Sequence, residues 1–261
     1  MDSLVKSVLG EDVPKRAVLI LSGGMDSVTL LHYLKSKDYS VHALSFNYGQ
    51  KHTKELGFAQ FWAAKTCSYF KIIDLTVLKD IATQSSLTSD TPVPEGHYEA
   101  ENMKSTVVPN RNMVMLSLAI AYAENEGIKE VYIGAHAGDH AIYPDCRPEF
   151  LGALCKASML GTYTGVEILA PFAKMRKRDI AILGKELKVD FANTWSCYKG
   201  GEKHCGKCGT CVERQEALEG FDPTAYGTDY ETVIKLASRL SLQDRRALSQ
   251  RLLRENMERE A

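Results

Sequence analysis

Four cysteines fall in one short stretch, Cys197-x7-Cys205-x2-Cys208-x2-Cys211, among Gly200, Gly201, Gly206 and Gly209. Disulfides are rare in reducing compartments, so clustered thiolates read as metal ligands. A closed four-cysteine zinc site is expected, and an iron–sulfur cluster is the alternative that the same donors could hold. His204 offers a substitute ligand, and Cys67, Cys146 and Cys155 read as incidental thiols. A second group is Ser22-Gly23-Gly24-Met25-Asp26-Ser27, behind the apolar run Ala17–Leu21. Adjacent glycines let a backbone approach a ligand closely, and a helix starting there aims unpaired N–H groups at an anion. Leu21, Ser22, Gly23, Gly24, Met25, Asp26 and Ser27 are therefore candidate phosphate-binding residues. Asp26 fits beside phosphate as a cap, a metal holder or a loop-orienting group. The spacing is neither G-x-x-x-x-G-K-[ST] nor G-x-G-x-x-G.

Other candidates are more scattered. Arg111, in Val108-Pro109-Asn110-Arg111-Asn112, opens an apolar helical stretch. A cation opposes the dipole at that end, so an anionic partner is expected. Tyr48 and Gln50 follow a strand and read either as ligand contacts or as an ordinary turn. The polar run from His136 to Phe150 holds Asp145, Arg147 and Glu149 where an α/β sheet presents its loops. Lys174, Arg176, Lys177 and Arg178 read as a solvated helix face, with a role near phosphates as the sharper reading.

These residues need a scaffold. Apolar runs at 17–21, 41–46, 72–75, 130–135 and 166–169 alternate with helical patterns at 28–34, 56–64, 113–123, 154–160 and 174–187. That alternation predicts an α/β fold, a doubly wound, mostly parallel sheet with helices on both faces. The 113–123 helix is apolar almost all round and is expected to be buried. Residues 76–108 show little periodicity and read as a mobile substrate lid or as disorder. Residues 1–15 suggest a short amphipathic turn.

The 261 residues carry 32 Lys+Arg against 33 Asp+Glu, a balance that disfavours a large nucleic-acid footprint. No apolar run reaches the length of a membrane span, and no secretory h-region opens the chain. A cytoplasmic location is expected.

The glycine loop resembles the SGGxDS loop of the N-type ATP pyrophosphatases. Four more segments resemble the 7-cyano-7-deazaguanine synthase family within that group: Phe46–Gln50, Val108–Asn112, Tyr143-Pro144-Asp145-Cys146-Arg147-Pro148-Glu149-Phe150, and Thr194-Trp195-Ser196-Cys197-Tyr198 with its cysteines. Order and spacing match over about residues 16–226. The resemblance implies an adenine nucleotide alpha hydrolase-like fold and an ATP-dependent, carbon–nitrogen bond-forming ligase. Its substrates would be 7-carboxy-7-deazaguanine, ammonia and ATP. The carboxylate would be adenylated, displaced to the amide and converted to the nitrile. Mg2+ would accompany the phosphates and Zn2+ would be structural. Asp26 and Arg111 would be catalytic. Tyr48, Gln50, Asp145, Arg147 and Glu149 would contact substrate, Asp145 or Glu149 reading the purine edge and Arg147 the carboxylate, unless those last three form a structural salt-bridge knot.

The expected division is an ATP-pyrophosphatase-like domain at 1–190, a zinc-binding segment at 191–226 and a helical tail at 227–261, longer than the family pattern. A homodimer is expected, and the tail offers a docking arm for a protein partner. The alternative function is a related ligase joining a deazaguanine carboxylate to a protein or other macromolecular amine.

Overall fold

The computed structural model describes residues 15–227. Five strands form one sheet in the order β3-β2-β1-β4-β5: β1 (Arg16–Ile20), β2 (Ser40–Asn47), β3 (Tyr69–Asp74), β4 (Glu130–Tyr132) and β5 (Glu167–Leu169). Every pairing is parallel, with Ala17 opposite Val41 and Val18 opposite Val131. The helices are α1 (Met25–Ser36), α2 (Lys54–Thr66), α3 (Val77–Ile81), α4 (Arg111–Glu126), α5 (Pro148–Gly161), α6 (Lys177–Glu186) and α7 (Gly209–Ala217).

After Arg16, β1 is apolar, and both of its faces are covered, as in parallel sheets generally. Ala17, Leu19 and Leu21 join a core with Leu31 of α1, Trp62 of α2 and Ile180 of α6. Val18 and Ile20 point the other way by strand alternation, to the side where α4 packs on β1 and β4. α5 packs on β5. The sheet is doubly wound, as the alternating pattern predicts. Strands are added outward through β2 and β3, and the chain then returns to the other side of β1 with β4. Ligands bind at such a reversal, beyond the carboxyl ends of the strands.

Two expectations change. α4 is not buried all round: Met115, Leu116 and Ala119 face the sheet, but Met113 is 38% exposed and Leu118 36%. A helix forming an outer layer has only one covered face. The 76–108 segment, in turn, is packed. Leu87, Tyr98 and Met103 are buried with Ser85, Ser86 and Thr88. Some hydroxyls of the segment bond local carbonyls, Thr88 Oγ1 to Ala82 O at 2.7 Å and Thr106 Oγ1 to Met103 O at 2.7 Å. They satisfy the backbone where regular ladders are missing. Gly96 N also donates to Lys207 O at 3.0 Å, which ties this segment to the cysteine stretch.

The first compact unit of the chain ends at Ala225, and the elements above belong to it. The amphipathic turn expected near the N-terminus and the helices expected in the tail lie outside the described residues. Among the described residues, no helix is long and apolar enough to cross a membrane.

Candidate active site

The turn between β1 and α1 is tightened by its own serines. Ser27 Oγ accepts from Ser22 N at 3.2 Å and donates to Gly24 O at 3.1 Å, and Ser22 Oγ accepts from Gly24 N at 3.3 Å. Gly23 has φ +84°, and a Cβ there would stand 2.2 Å from Glu55 O and 2.7 Å from Ala59 N. Glycine is therefore required both by conformation and by the closeness of α2. Gly24 is the N-cap of α1 and brings no side-chain cap to its end, so that end faces the cavity with free amides. From the other side, Trp195 N donates to Gly23 O at 2.9 Å.

Beside the loop sits a buried charge cluster. Lys177 Nζ lies 3.1 Å from Asp26 Oδ2 and 2.8 Å from Glu213 Oε2. Burial works against the lysine charge, but Asp26, Glu213 and Asp139 outweigh it and hold its pKa well above the usual value. Burial pushes the Glu213 pKa up, with Lys177 opposing. His136 Nδ1 accepts from Gly138 N at 3.1 Å, leaving Nε2 3.5 Å from Asp139 Oδ1 and 3.9 Å from Asp26 Oδ2. Tyr98 OH donates to Asp139 Oδ1 at 2.9 Å. Carboxylates outnumber lysine here, and Asp26 Oδ1 is buried without a hydrogen-bond partner among the described residues. An orphaned carboxylate oxygen beside a phosphate-type loop fits a hard divalent cation such as Mg2+.

Arg111 lines the same cavity. Its Nη1 donates to Tyr48 OH at 3.1 Å, and its guanidinium lies 5.1 Å from that ring's centre. Burial opposes the guanidinium charge, yet Tyr48, Tyr198, Tyr143 and Asp145 hold its pKa well above the usual value. Burial pushes the Tyr48 hydroxyl up to about 12, so it stays protonated. This is a fixed cation in a tyrosine box, a site for a planar anion such as a carboxylate.

The four cysteine sulfurs lie within 4.8 Å of one another. A tetrahedral ion with bonds of about 2.3 Å spaces its thiolates about 3.8 Å apart. Backbone amides point at the sulfurs, Cys205 N to Cys197 Sγ at 3.4 Å and Cys208 N to Cys205 Sγ at 3.3 Å. The set fits one tetrahedral ion better than a multi-iron cluster, whose bridging sulfides spread the thiolates further. The stretch also braces the loop. Trp195 Nε1 donates to Cys197 O at 3.0 Å, and buried Arg214 bonds Phe191 O, Thr194 Oγ1 and Ser196 Oγ.

The cavity gathers Ser22, Gly24, Asp26, Ser27, Tyr48 and Arg111 from the residues the sequence nominates. Gln50 is buried behind it, bonded to Tyr48 N and to Glu55. Asp145 is buried elsewhere: its Oδ2 accepts Asn112 N at 2.9 Å, capping α4 one residue from Arg111. The Asp145 charge is one of those that favour the Arg111 cation. Arg147 and Glu149 are exposed, and Arg147 Nε donates to His140 O at 3.0 Å. The short helical turn Pro144–Cys146 aims Asp145 inward and leaves those two outside. The three do not form a salt-bridge knot. Glu55 and Tyr98, also on the cavity wall, stand in no motif of the sequence, whereas Asp139, Tyr143 and Tyr198 lie in segments the sequence singles out without naming them as site residues. Of the basic run, Lys177 alone joins this cavity, and its place at the start of the α6 pattern was the available signal.

Comparison with known proteins places these features in a family. Residues 16–222 match the family described as queuosine biosynthesis protein QueC. The chain is 54% identical over 217 residues to the 7-cyano-7-deazaguanine synthase of Hahella chejuensis, covering 82% of this chain and 94% of that one. It is 53% identical over 214 residues to the enzyme of that name from Methanoregula boonei, covering 81% and 99%. Among solved structures, the NH3-dependent NAD synthetase of Campylobacter jejuni is similar at 18% identity and a TM-score of 0.43, covering 97% of this chain and 90% of that one.

Proposed function

The chain belongs to the QueC family of queuosine biosynthesis proteins, and on that premise we propose that it converts 7-carboxy-7-deazaguanine and ammonia to 7-cyano-7-deazaguanine at the expense of ATP. The observation that carries the reading is one cavity lined by both a phosphate-type loop and the Arg111–tyrosine box. A carboxylate resists amines because oxide leaves poorly. Adenylation supplies a leaving group, and it requires the two anions to be held face to face.

In this reading the Gly23–Ser27 amides receive the phosphates of ATP, with Lys177 behind them. Asp26, through its orphaned Oδ1, would hold Mg2+, which neutralises phosphate charge when bound. Arg111 orients the substrate carboxylate, with Tyr48 fixing the guanidinium plane and Asp145 fixing the helix end beneath it. Tyr48 contacts substrate, whereas Gln50 acts through its neighbours. Arg147 and Glu149, exposed outside the cavity, would not contact a substrate held there. Cys197, Cys205, Cys208 and Cys211 would hold structural Zn2+, which keeps the Trp195 strap on the glycine loop. A cytoplasmic location would keep those thiols reduced.

Residues 1–190 would carry the nucleotide chemistry, 191–226 the zinc and 227–261 a docking arm for a protein partner. A homodimer is part of the same reading. The macromolecular ligase alternative has no observation in its favour. The test is purified protein with 7-carboxy-7-deazaguanine, ammonium and ATP, read by product mass and pyrophosphate release. A nitrile product with pyrophosphate is expected, and unchanged substrate would overturn the reading.

A further inference from the structure

Three carboxylates line the cavity: Asp26, Glu55 and Asp139. Asp26 pairs with Lys177, and Asp139 accepts from Tyr98 and from His136 N. Glu55 has a different setting. It stands in the first turn of α2, and among the described residues it forms no ion pair. Gln50 Nε2 donates to its Oε1 at 3.0 Å, and Gln50 Oε1 in turn accepts Tyr48 N at 2.9 Å. Tyr48 OH meets Arg111. One turn after β2 therefore orients both the arginine and the glutamate on the same wall. The groups facing Glu55 are Arg111 from α4, Tyr48 and Gln50 from that turn, Tyr198 from the cysteine stretch, and Lys51 and His52 ahead of α2.

We propose that Glu55 is the proton acceptor that converts bound ammonium into the attacking amine at the activated carboxylate. The inference rests on the reading given under Proposed function. Ammonium gives one N–H proton to the Glu55 carboxylate. The freed nitrogen lone pair forms the C–N bond to the acyl carbon. The bond from that carbon to the nucleotide oxygen breaks, and its electron pair leaves with AMP. The surplus proton on the adduct nitrogen goes to the departing phosphate. The setting suits the task. Burial pushes the Glu55 pKa up to about 7, against Arg111 and the Gln50 bond, which favour the anion. A group poised near the working pH both takes and returns a proton readily. Arg111, beyond ion-pair distance, holds the electrophile without neutralising the base.

The test is Glu55→Gln, which keeps the shape and leaves an oxygen for Gln50. Single turnovers with 7-carboxy-7-deazaguanine and ATP are read by product mass, with pyrophosphate measured in parallel. With ammonium, amide formation should fall by about a hundredfold or more, and the residual rate should rise with pH only as ammonium itself deprotonates in solution, without the inflection at about 7. Pyrophosphate release without amine should persist. Hydroxylamine, largely uncharged at neutral pH, needs no such base, so the variant should still form the hydroxamate within about tenfold of the unaltered protein. Undiminished amide formation in the variant would overturn the inference. So would a joint loss of pyrophosphate release, amide and hydroxamate, which would make Glu55 a substrate-holding or structural group. No pyrophosphate from the unaltered protein would overturn the underlying reading, and the inference with it.

Discussion

At Gly23 the backbone of α2 stands so close that a single methyl has no room. Gly23→Ala places its Cβ 2.2 Å from Glu55 O in a left-handed conformation, where an L-residue is strained besides. At Gly24 a Cβ would meet Ser22 Oγ at 3.3 Å, a contact a side chain can relieve. Gly23→Ala should therefore cost more than about 3 kcal/mol of stability, and Gly24→Ala about 1 kcal/mol or less. Denaturant melts of both variants check this, and equal losses would contradict the packing argument. Lys177 poses the converse problem, a cation that two carboxylates need. Lys177→Met should cost about 3 kcal/mol, because it leaves Asp26 and Glu213 half-buried with only the longer contacts to His136. Adding Glu213→Gln should restore part of that stability but not ATP affinity, measured by calorimetry. Recovered affinity in the double variant would remove Lys177 from the phosphate site.

α4 is held at its first turn from outside itself. Asp145 Oδ2 accepts Asn112 N, satisfying one of the amides a helix start leaves free. Asp145→Ala should cost about 1–2 kcal/mol and weaken substrate binding through a loosened Arg111. Asp145→Asn keeps an acceptor oxygen and should lose little of either. A large loss of substrate affinity in the Asn variant, at unchanged melting temperature, would instead return Asp145 to the purine edge. The cysteine stretch acts in the same indirect way. Chelation or Cys208→Ser should release the Trp195 strap from Gly23 O, so zinc loss, read by metal analysis, should lower ATP affinity along with protease resistance. These supporting contacts separate what the sequence makes legible from what it hides. The glycine loop, the strand alternation and the cysteine spacing are local signals. Arg111 was legible because its position is electrostatically wrong for a lone helix. Glu55 was not, since an N-terminal helix carboxylate looks like ordinary surface until α2 is laid against the glycine loop. Asp145, Arg147 and Glu149 look equivalent in sequence. Only the turn at Pro144–Cys146 decides that one is buried and two are exposed.

For the molecule as a whole, pH sets two opposed demands on stability. Burial lowers the pKa values of His32, His42 and His52, and that of His204 to about 4. Each binds protons less readily folded than unfolded, so together they make the fold more stable as pH rises towards the ordinary histidine range. Glu55 works the other way. Its folded pKa, at about 7, lies above the ordinary carboxylate value, so between those two values the folded state holds the extra proton. Its contribution is complete below the ordinary carboxylate value and is lost as pH rises through about 7. The shift corresponds to at most about 3 kcal/mol, reduced by whatever water reaches the cavity wall. The net profile mixes both trends, so the discriminating measurement is a difference. Denaturant stability of the unaltered protein minus that of Glu55→Gln, without ligands and at constant zinc, should decline by about 1–3 kcal/mol across this window. The histidine contributions cancel in that subtraction, because the substitution leaves them in place. A flat difference would mean that Glu55 ionises as a surface carboxylate does, and the cavity wall would then be wet rather than sealed by Tyr48 and Arg111. With a carboxylate-bearing substrate bound beside it, the same group should hold its proton to still higher pH. The difference curve should then move upward in pH on addition of 7-carboxy-7-deazaguanine, and a shift in the opposite direction would place the substrate carboxylate away from this wall.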